Sequence, residues 1–225
     1  MEEKYQKIKK IVKKELSCSA HEIDHVLRVY NLCLRLAKNE LDIDLDILKT
    51  AALLHDIARV KEDKDDSGNI DHAILGAEMA EGVLISFGDS KNKIEAVKHC
   101  IITHRFRSGN EPETKEAKIL FDADKLDIIG LIGIARSFMI AGQYGERMYS
   151  DIPIDKYIKS NLVDGKPSGR IKMVSKHAPN LEFETKLKYI PDKLYTSKAK
   201  IIGEKRIIFM KQFFDRLKEE IGREL

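Results

Sequence analysis

The stretch TAALLHDIARV, Thr50–Val60, decides how this chain is read. It is an apolar run with helical spacing, yet His55 and Asp56 stand side by side inside it. An isolated buried carboxylate costs several kcal/mol unless it is paired or coordinates a metal. Either the segment is exposed, or residues elsewhere in the chain supply partners for these two side chains.

Outward from this stretch, helical periodicity dominates. Apolar spacing predicts helices over about 3–17, 20–39, 45–59, 72–87, 91–104, 115–127, 128–141 and 197–222. The segment GRIKMVSK, Gly169–Lys176, alternates well enough to read as a strand. It lies in a Gly- and Pro-marked region, 161–191, that suits a small hairpin or flap. No repeat or linker divides the chain, so the expected architecture is one all-α domain over 1–225. Its core covers about 19–140, and a helical extension covers about 190–225.

The 225 residues are enough to bury a core without staples. A balance of 40 basic against 37 acidic side chains argues against a dedicated nucleic-acid binder. The N-terminal lysines alternate with Ile8, Ile11, Val12 and Leu16 at helical spacing, which reads as the wet face of a terminal helix rather than a membrane anchor. Cys18, Cys33 and Cys100 are odd in number and widely spaced, so neither a disulfide framework nor a thiolate zinc site is expected. With no signal-type or transmembrane-length run, the expected location is cytoplasmic. The run IGLIGIA, Ile129–Ala135, suits a homodimer contact and core packing equally.

Metal-binding patterns compete for one histidine. His21-Glu22-Ile23-Asp24-His25 is a literal H-E-x-x-H, the zinc-protease pattern, but a charged Asp24 intervenes and no convincing third ligand follows. The rival set takes His25 alone, then His55 and Asp56, then an aspartate from AKILFDADKLDIIG, converging from three helices as bundle metal sites do. Asp124 and Asp127 share a face at i and i+3, with Asp122 pointing elsewhere. A third pattern, Asp63, Asp65, Ser67, Gly68 and Asp71, follows the spacing of a calcium loop. Its twelfth position is Ile74 instead of the closing Glu, so a polar loop capping the next helix is the better reading.

The segments AHEIDHVLRV, AALLHDIA and DADKLDIIGLIGIAR, with DHAILGAEMAEGVL and AVKHCIITHRF between them, resemble the HD-domain family of metal-dependent phosphohydrolases from about Ser19 to at least Arg136. The resemblance implies an HD-type helical bundle in which His25, His55, Asp56 and Asp124 ligate the metal. The frame Ala-Asp-Lys-Leu, Ala123–Leu126, selects Asp124 over Asp122. Late segments resemble small bacterial and archaeal members that hydrolyse nucleotides, including pyrophosphohydrolases that cut triphosphates to monophosphate and pyrophosphate. Two departures stand out. Many relatives carry a histidine where this chain has Glu182, and the acidic residues that some members place three and four positions after the His-Asp are here Arg59 and Val60.

A site of two imidazoles and two carboxylates suits Mn, Mg, Fe, Co or Ni. One ion is expected and a second is admitted. His72 and His104 are expected to contact phosphate or act as acid in a one-metal site, or to bind the second ion. Arg28, Lys125, Arg105 and Arg107 are candidate phosphate contacts, and Asp127 would orient a ligand or receive a proton. His99 lies five residues before His104, about 140° around an ideal helix, and is not expected to share the pocket. The expected partner is a small nucleotide substrate. The alternatives are a nucleotidase or phosphodiesterase on the same metal site and a non-catalytic nucleotide-binding module.

Overall fold

Apolar spacing at three and four residues turns most of the chain into helix. The computed structural model describes residues 2–16, 23–65, 67–105, 109–167 and 169–222. Among these no strand forms. The chain divides into two compact units, Met1–Asp124 and Lys125–Leu225, although no linker marks the boundary, which falls inside a helix. No single helix among the described residues is long and apolar enough to cross a membrane.

The first unit runs through α1 (Glu2–Glu15), α2 (Ile23–Ala37), α3 (Leu45–Leu54), α4 (Arg59–Asp63), α5 (His72–Ser86), α6 (Lys91–Thr103) and into α7 (Lys115–Asp127). Helix α1 buries Tyr5, Ile8 and Val12 and leaves Lys7, Lys10, Lys13 and Lys14 in solvent, the pattern of a surface helix. Helix α3 packs against α1, α2 and α6, and Leu48 and the run Ala51–Leu54 are fully buried. Helix starts are capped by short acceptors: Asp44 takes the Asp46 and Ile47 amides, Asp71 takes Ala73, and Ser90 takes Lys93. Asp71 thus closes the Asp63–Asp71 loop as a cap, while Asp65 turns inward on the amides of Ser67 and Ile70.

The helix expected over 45–59 stops at Leu54. The backbone switches there to three-residue hydrogen bonds, Ile57 N to Leu54 O at 3.1 Å and Arg59 N to Asp56 O at 2.8 Å, before α4 begins. The His-Asp pair therefore sits in a turn rather than in a helix interior.

The second unit holds the end of α7, then α8 (Gly130–Tyr144), α9 (Ile154–Asn161), α10 (Pro179–Thr185) and α11 (Ser197–Gly222). Gly130 opens α8 at φ +78°, and a Cβ there would lie 2.9 Å from Arg206 Cγ, so only glycine turns this corner without strain. Arg206 donates to the carbonyl of Leu126 beside it. Helices α9 and α10 were not expected; they bury Tyr157 and Leu181 in a small core with Leu162 and Ala178. The segment Gly169–Lys176 is not a strand. Its one ladder contact is an isolated antiparallel bridge between Leu162 and Ile171, and Asn161 spends its side-chain amide on both backbone groups of Met173.

An ion-pair seam fixes α1 in the first unit. Lys4 Nζ lies 2.6 Å from Asp89, Lys93 bridges Asp89 at 2.9 Å and Asp46, and the Tyr5 hydroxyl donates to Asp46 at 2.7 Å. Burial alone would raise the Asp89 carboxyl, but the hydrogen bonds from Lys4 and Lys93 pull it below its ordinary value. A carboxyl lowered in the folded state stabilises the protein above its unfolded pKa and loses that contribution as acid titrates the folded carboxylate. Asp89→Asn is therefore expected to cost about 1 kcal/mol at neutral pH. Urea unfolding should show the variant weaker at neutral pH and equal to wild type in strong acid, near about pH 2.

Candidate metal centre

Five helices deliver six buried side chains to one place in the first unit. His25 lies in the first turn of α2, His55 closes α3 with Asp56 next to it, His72 opens α5, His104 closes α6, and Asp124 projects from α7. Asp56 stands at the middle. Its Oδ2 lies 3.5 Å from His25 Nε2 and 3.7 Å from His55 Nε2, and its Oδ1 lies 3.5 Å from Nε2 of both His72 and His104. Asp124 Oδ1 approaches His25 Nε2 to 3.3 Å.

The far side of three rings fixes which nitrogen carries hydrogen. His55 Nδ1 donates to the Ala52 carbonyl at 2.9 Å, His104 Nδ1 to the Ile101 carbonyl at 2.5 Å, and His72 Nδ1 to the Glu62 carboxylate at 2.6 Å. Carbonyl and carboxylate oxygens only accept, so in the neutral rings Nε2 carries a lone pair. The lone pairs of two of these rings meet, His72 Nε2 lying 3.3 Å from His104 Nε2, while His55 Nε2 lies 3.4 Å from His25 Nε2. Acceptors at such separations repel unless positive charge lies among them, so this nitrogen and oxygen donor set fits a divalent cation. Two overlapping triads have suitable geometry, His25–His55–Asp56 and Asp56–His72–His104, each with its donor atoms within 4.8 Å of one another. Burial pushes the His55 pKa down to about 4, which keeps the ring neutral as a donor. Burial would raise Asp56; positive charge at the imidazole positions, His55 foremost, would hold it well below the usual carboxylate range.

The other sequence candidates are placed differently. Arg28 is half-buried on α2, and Lys125 is buried next to Asp124 in sequence. Asp127 is buried and pairs with Arg136 Nη1 at 2.7 Å. Asp122 is fully buried too, so burial does not separate it from Asp124; the approach to His25 does. His99 accepts from the Glu113 amide. His21, Glu22 and Arg107 lie outside the described residues, so the H-E-x-x-H pattern has no geometry to report. Arg105 spends its guanidinium on Glu62 Oε1 at 2.9 Å and Asp71 Oδ2 at 2.6 Å. In the second unit Glu182 faces His177 at 3.4 Å and Lys186 at 2.5 Å and lines a cavity of about 170 Å³ with Arg136 and Glu146.

Sequence reasoning missed Glu62. In RVKEDKDD it is one more acidic residue in a polar stretch, and only its neighbours in space distinguish it.

Known proteins place this arrangement in context. Residues 23–129 match the model of the HD domain. A Bacillus subtilis (strain 168) protein, YpgQ, described as uncharacterised, is 32% identical over 207 residues, which cover 90% of this chain and 85% of YpgQ. The crystal structure of YpgQ in complex with ADP superposes with a TM-score of 0.71 at 28% identity, covering 97% of this chain and 95% of that one. A crystal structure of an HD-superfamily hydrolase from Bacillus thuringiensis superposes with a TM-score of 0.69 at 28% identity, covering 98% of each chain.

Converging lone pairs predict linkage between cation binding and stability. At a free manganese concentration about a hundredfold above its dissociation constant, the protein should gain about 2.7 kcal/mol, roughly 5–10 °C in thermal midpoint. A chelator should reverse the gain, and His55→Ala should show little of it. A wild-type midpoint that ignores the ion would contradict the donor assignment.

Proposed function

The chain belongs to the HD-domain family of metal-dependent phosphohydrolases, and from that premise we propose that it hydrolyses nucleotides, cutting nucleoside triphosphates to monophosphate and pyrophosphate. The observation that carries this reading is the convergence of imidazole lone pairs and carboxylate oxygens around Asp56. His25, His55, Asp56 and Asp124 hold one divalent cation, with manganese the first to test among Mn, Mg, Fe, Co and Ni. ADP in the YpgQ crystal supports a nucleotide as the class of ligand.

When bound, such an ion supplies Lewis acidity toward a phosphoryl oxygen and a lowered pKa for water. The protein's own contribution is positional. The Ala52 carbonyl orients the His55 ring, and the Ile101 carbonyl orients His104. Burial removes bulk water from the imidazoles, which strengthens each electrostatic contact there. Arg28, one helical turn after His25, and Lys125, adjacent to Asp124, are assigned to phosphate oxygens that gain charge as the bond breaks.

One observation favours a second ion. With Nδ1–H spent on Glu62 and on Ile101, neutral His72 and His104 present only lone pairs at Nε2 and cannot donate to a phosphate oxygen. With Asp56 Oδ1 beside them, they would instead hold a second cation.

The test is hydrolysis of a nucleotide panel by metal-stripped protein after manganese or magnesium is restored, with products resolved by chromatography. The expected products are monophosphate and pyrophosphate from triphosphates. Asp124→Asn is expected to lower turnover by about a thousandfold, equivalent to about 4 kcal/mol of barrier. Orthophosphate from monophosphates would replace this reading with a nucleotidase. Cation binding without turnover would replace it with a binding module.

A further inference from the structure

His55, His72 and His104 each have a hydrogen-bonded Nδ1, but they are not anchored alike. His55 and His104 donate to backbone carbonyls three residues back in their own helices. His72 opens its helix, where no preceding turn exists to offer a carbonyl, and it donates to a side chain ten residues upstream, Glu62 Oε2 at 2.6 Å. That carboxylate is itself held from two sides. Arg59 Nη1 reaches Oε2 at 2.9 Å and passes 3.3 Å from His72 Nδ1, a longer approach than the carboxylate's 2.6 Å, and Arg105 Nη2 reaches Oε1 at 2.9 Å. Arg105 also grips Asp71 Oδ2 at 2.6 Å, and Asp71 is the cap of the helix that His72 begins. Arg105 follows His104 directly. One guanidinium therefore ties α4, the start of α5 and the end of α6 together behind the His72–His104 pair.

We propose that Glu62, clamped by Arg59 and Arg105, is the positioning residue that sets the tautomer and ring orientation of His72 and so aims Nε2 at Asp56 and His104. The assignment rests on the reading of this cluster as a cation centre, but its geometric core does not require turnover. A carboxylate acceptor differs from a carbonyl in kind: it draws the Nδ1 proton more strongly and makes Nε2 the better donor toward a cation. The cluster is thus asymmetric. His55 and His104 rely on backbone, which substitution does not remove, while His72 depends on Glu62 and its two arginines. Orienting partners of metal-binding histidines are worth roughly 10–100-fold in metal affinity.

The first measurement is a long-range ¹H–¹⁵N correlation of the histidine rings in full-length, metal-free protein, at a pH well above the ordinary histidine value of about 6.5. In wild type, His72 is expected as the Nδ1–H tautomer, as are His55 and His104. In Glu62→Gln, His72 should move to a mixture of tautomers while His55 and His104 stay unchanged. An Nε2–H ring for His72 in wild type overturns the proposal whether or not the variant folds, and so does an unchanged His72 in a folded variant. The second measurement is manganese binding followed by electron paramagnetic resonance. Glu62→Gln should weaken one class of bound ion by roughly 10–100-fold. Glu62→Asp, which keeps the charge, should recover part of that loss; equal affinity in Glu62→Gln and wild type overturns the proposal. Failure of the nucleotide hydrolysis assay would leave the tautomer result standing, so the two readings fail separately.

Discussion

The carboxylate of Asp56 is the constraint around which the first unit is organised. It is 7% exposed, carries charge, and has an imidazole from each of four helices within 3.7 Å. A buried anion with those neighbours is tolerated only if its charge is compensated, which a cation among neutral histidines would do. The requirement propagates outward. Each histidine must present a lone pair rather than a hydrogen, so each needs an acceptor behind it. Ala52, Ile101 and Glu62 fill that role for three of them. The arginines that hold Glu62 belong to the same chain of necessity, one step further out.

The turn at Leu54 matters to this arrangement. Successive side chains on an α-helix diverge by about 100°, so adjacent residues in a helix interior do not face one point. Ending α3 one residue before the pair lets His55 keep its bond to Ala52 while Asp56 presents both oxygens, one to each group of imidazoles. The seam of Lys4, Asp46, Asp89 and Lys93 lies elsewhere on the same unit and serves α1. Its charges are paired with one another, so no outside ion is called for.

Much of this was legible before any coordinates. The long helices announce themselves because a buried stripe repeats over several turns, as in α2, α5 and α11. His55 and Asp56 stand out as polar residues in an apolar frame, His25 and Asp124 follow from the resemblance to the HD-domain family, and the structure brings the four together. The short helices α9 and α10, of 8 and 7 residues, do not announce themselves, since two turns carry too little periodicity to separate helix from loop. Gly169–Lys176 alternates by chance of composition; without a partner strand its backbone settles into a bridge and a short 3₁₀ turn. Glu62 was illegible for another reason. Its meaning lies in contacts with residues ten and forty-three positions away, and nothing local distinguishes it from Asp63.

Three of the four imidazoles occupy helix ends: His55 and His104 close α3 and α6, and His72 opens α5. For the two that close helices, a carbonyl of the last turn, otherwise an orphan, is the same atom that orients the ring. Helix termination and ligand orientation are therefore one hydrogen bond, not two. A consequence follows for how such a chain can drift over generations. Loops such as 38–44 can gain or lose a residue at small entropic cost. Adding one residue to the last turn of α3 or α6 would instead swing the imidazole by about 100° and strand a carbonyl at the same stroke. Length, rather than residue type alone, is what inheritance must conserve at those two positions.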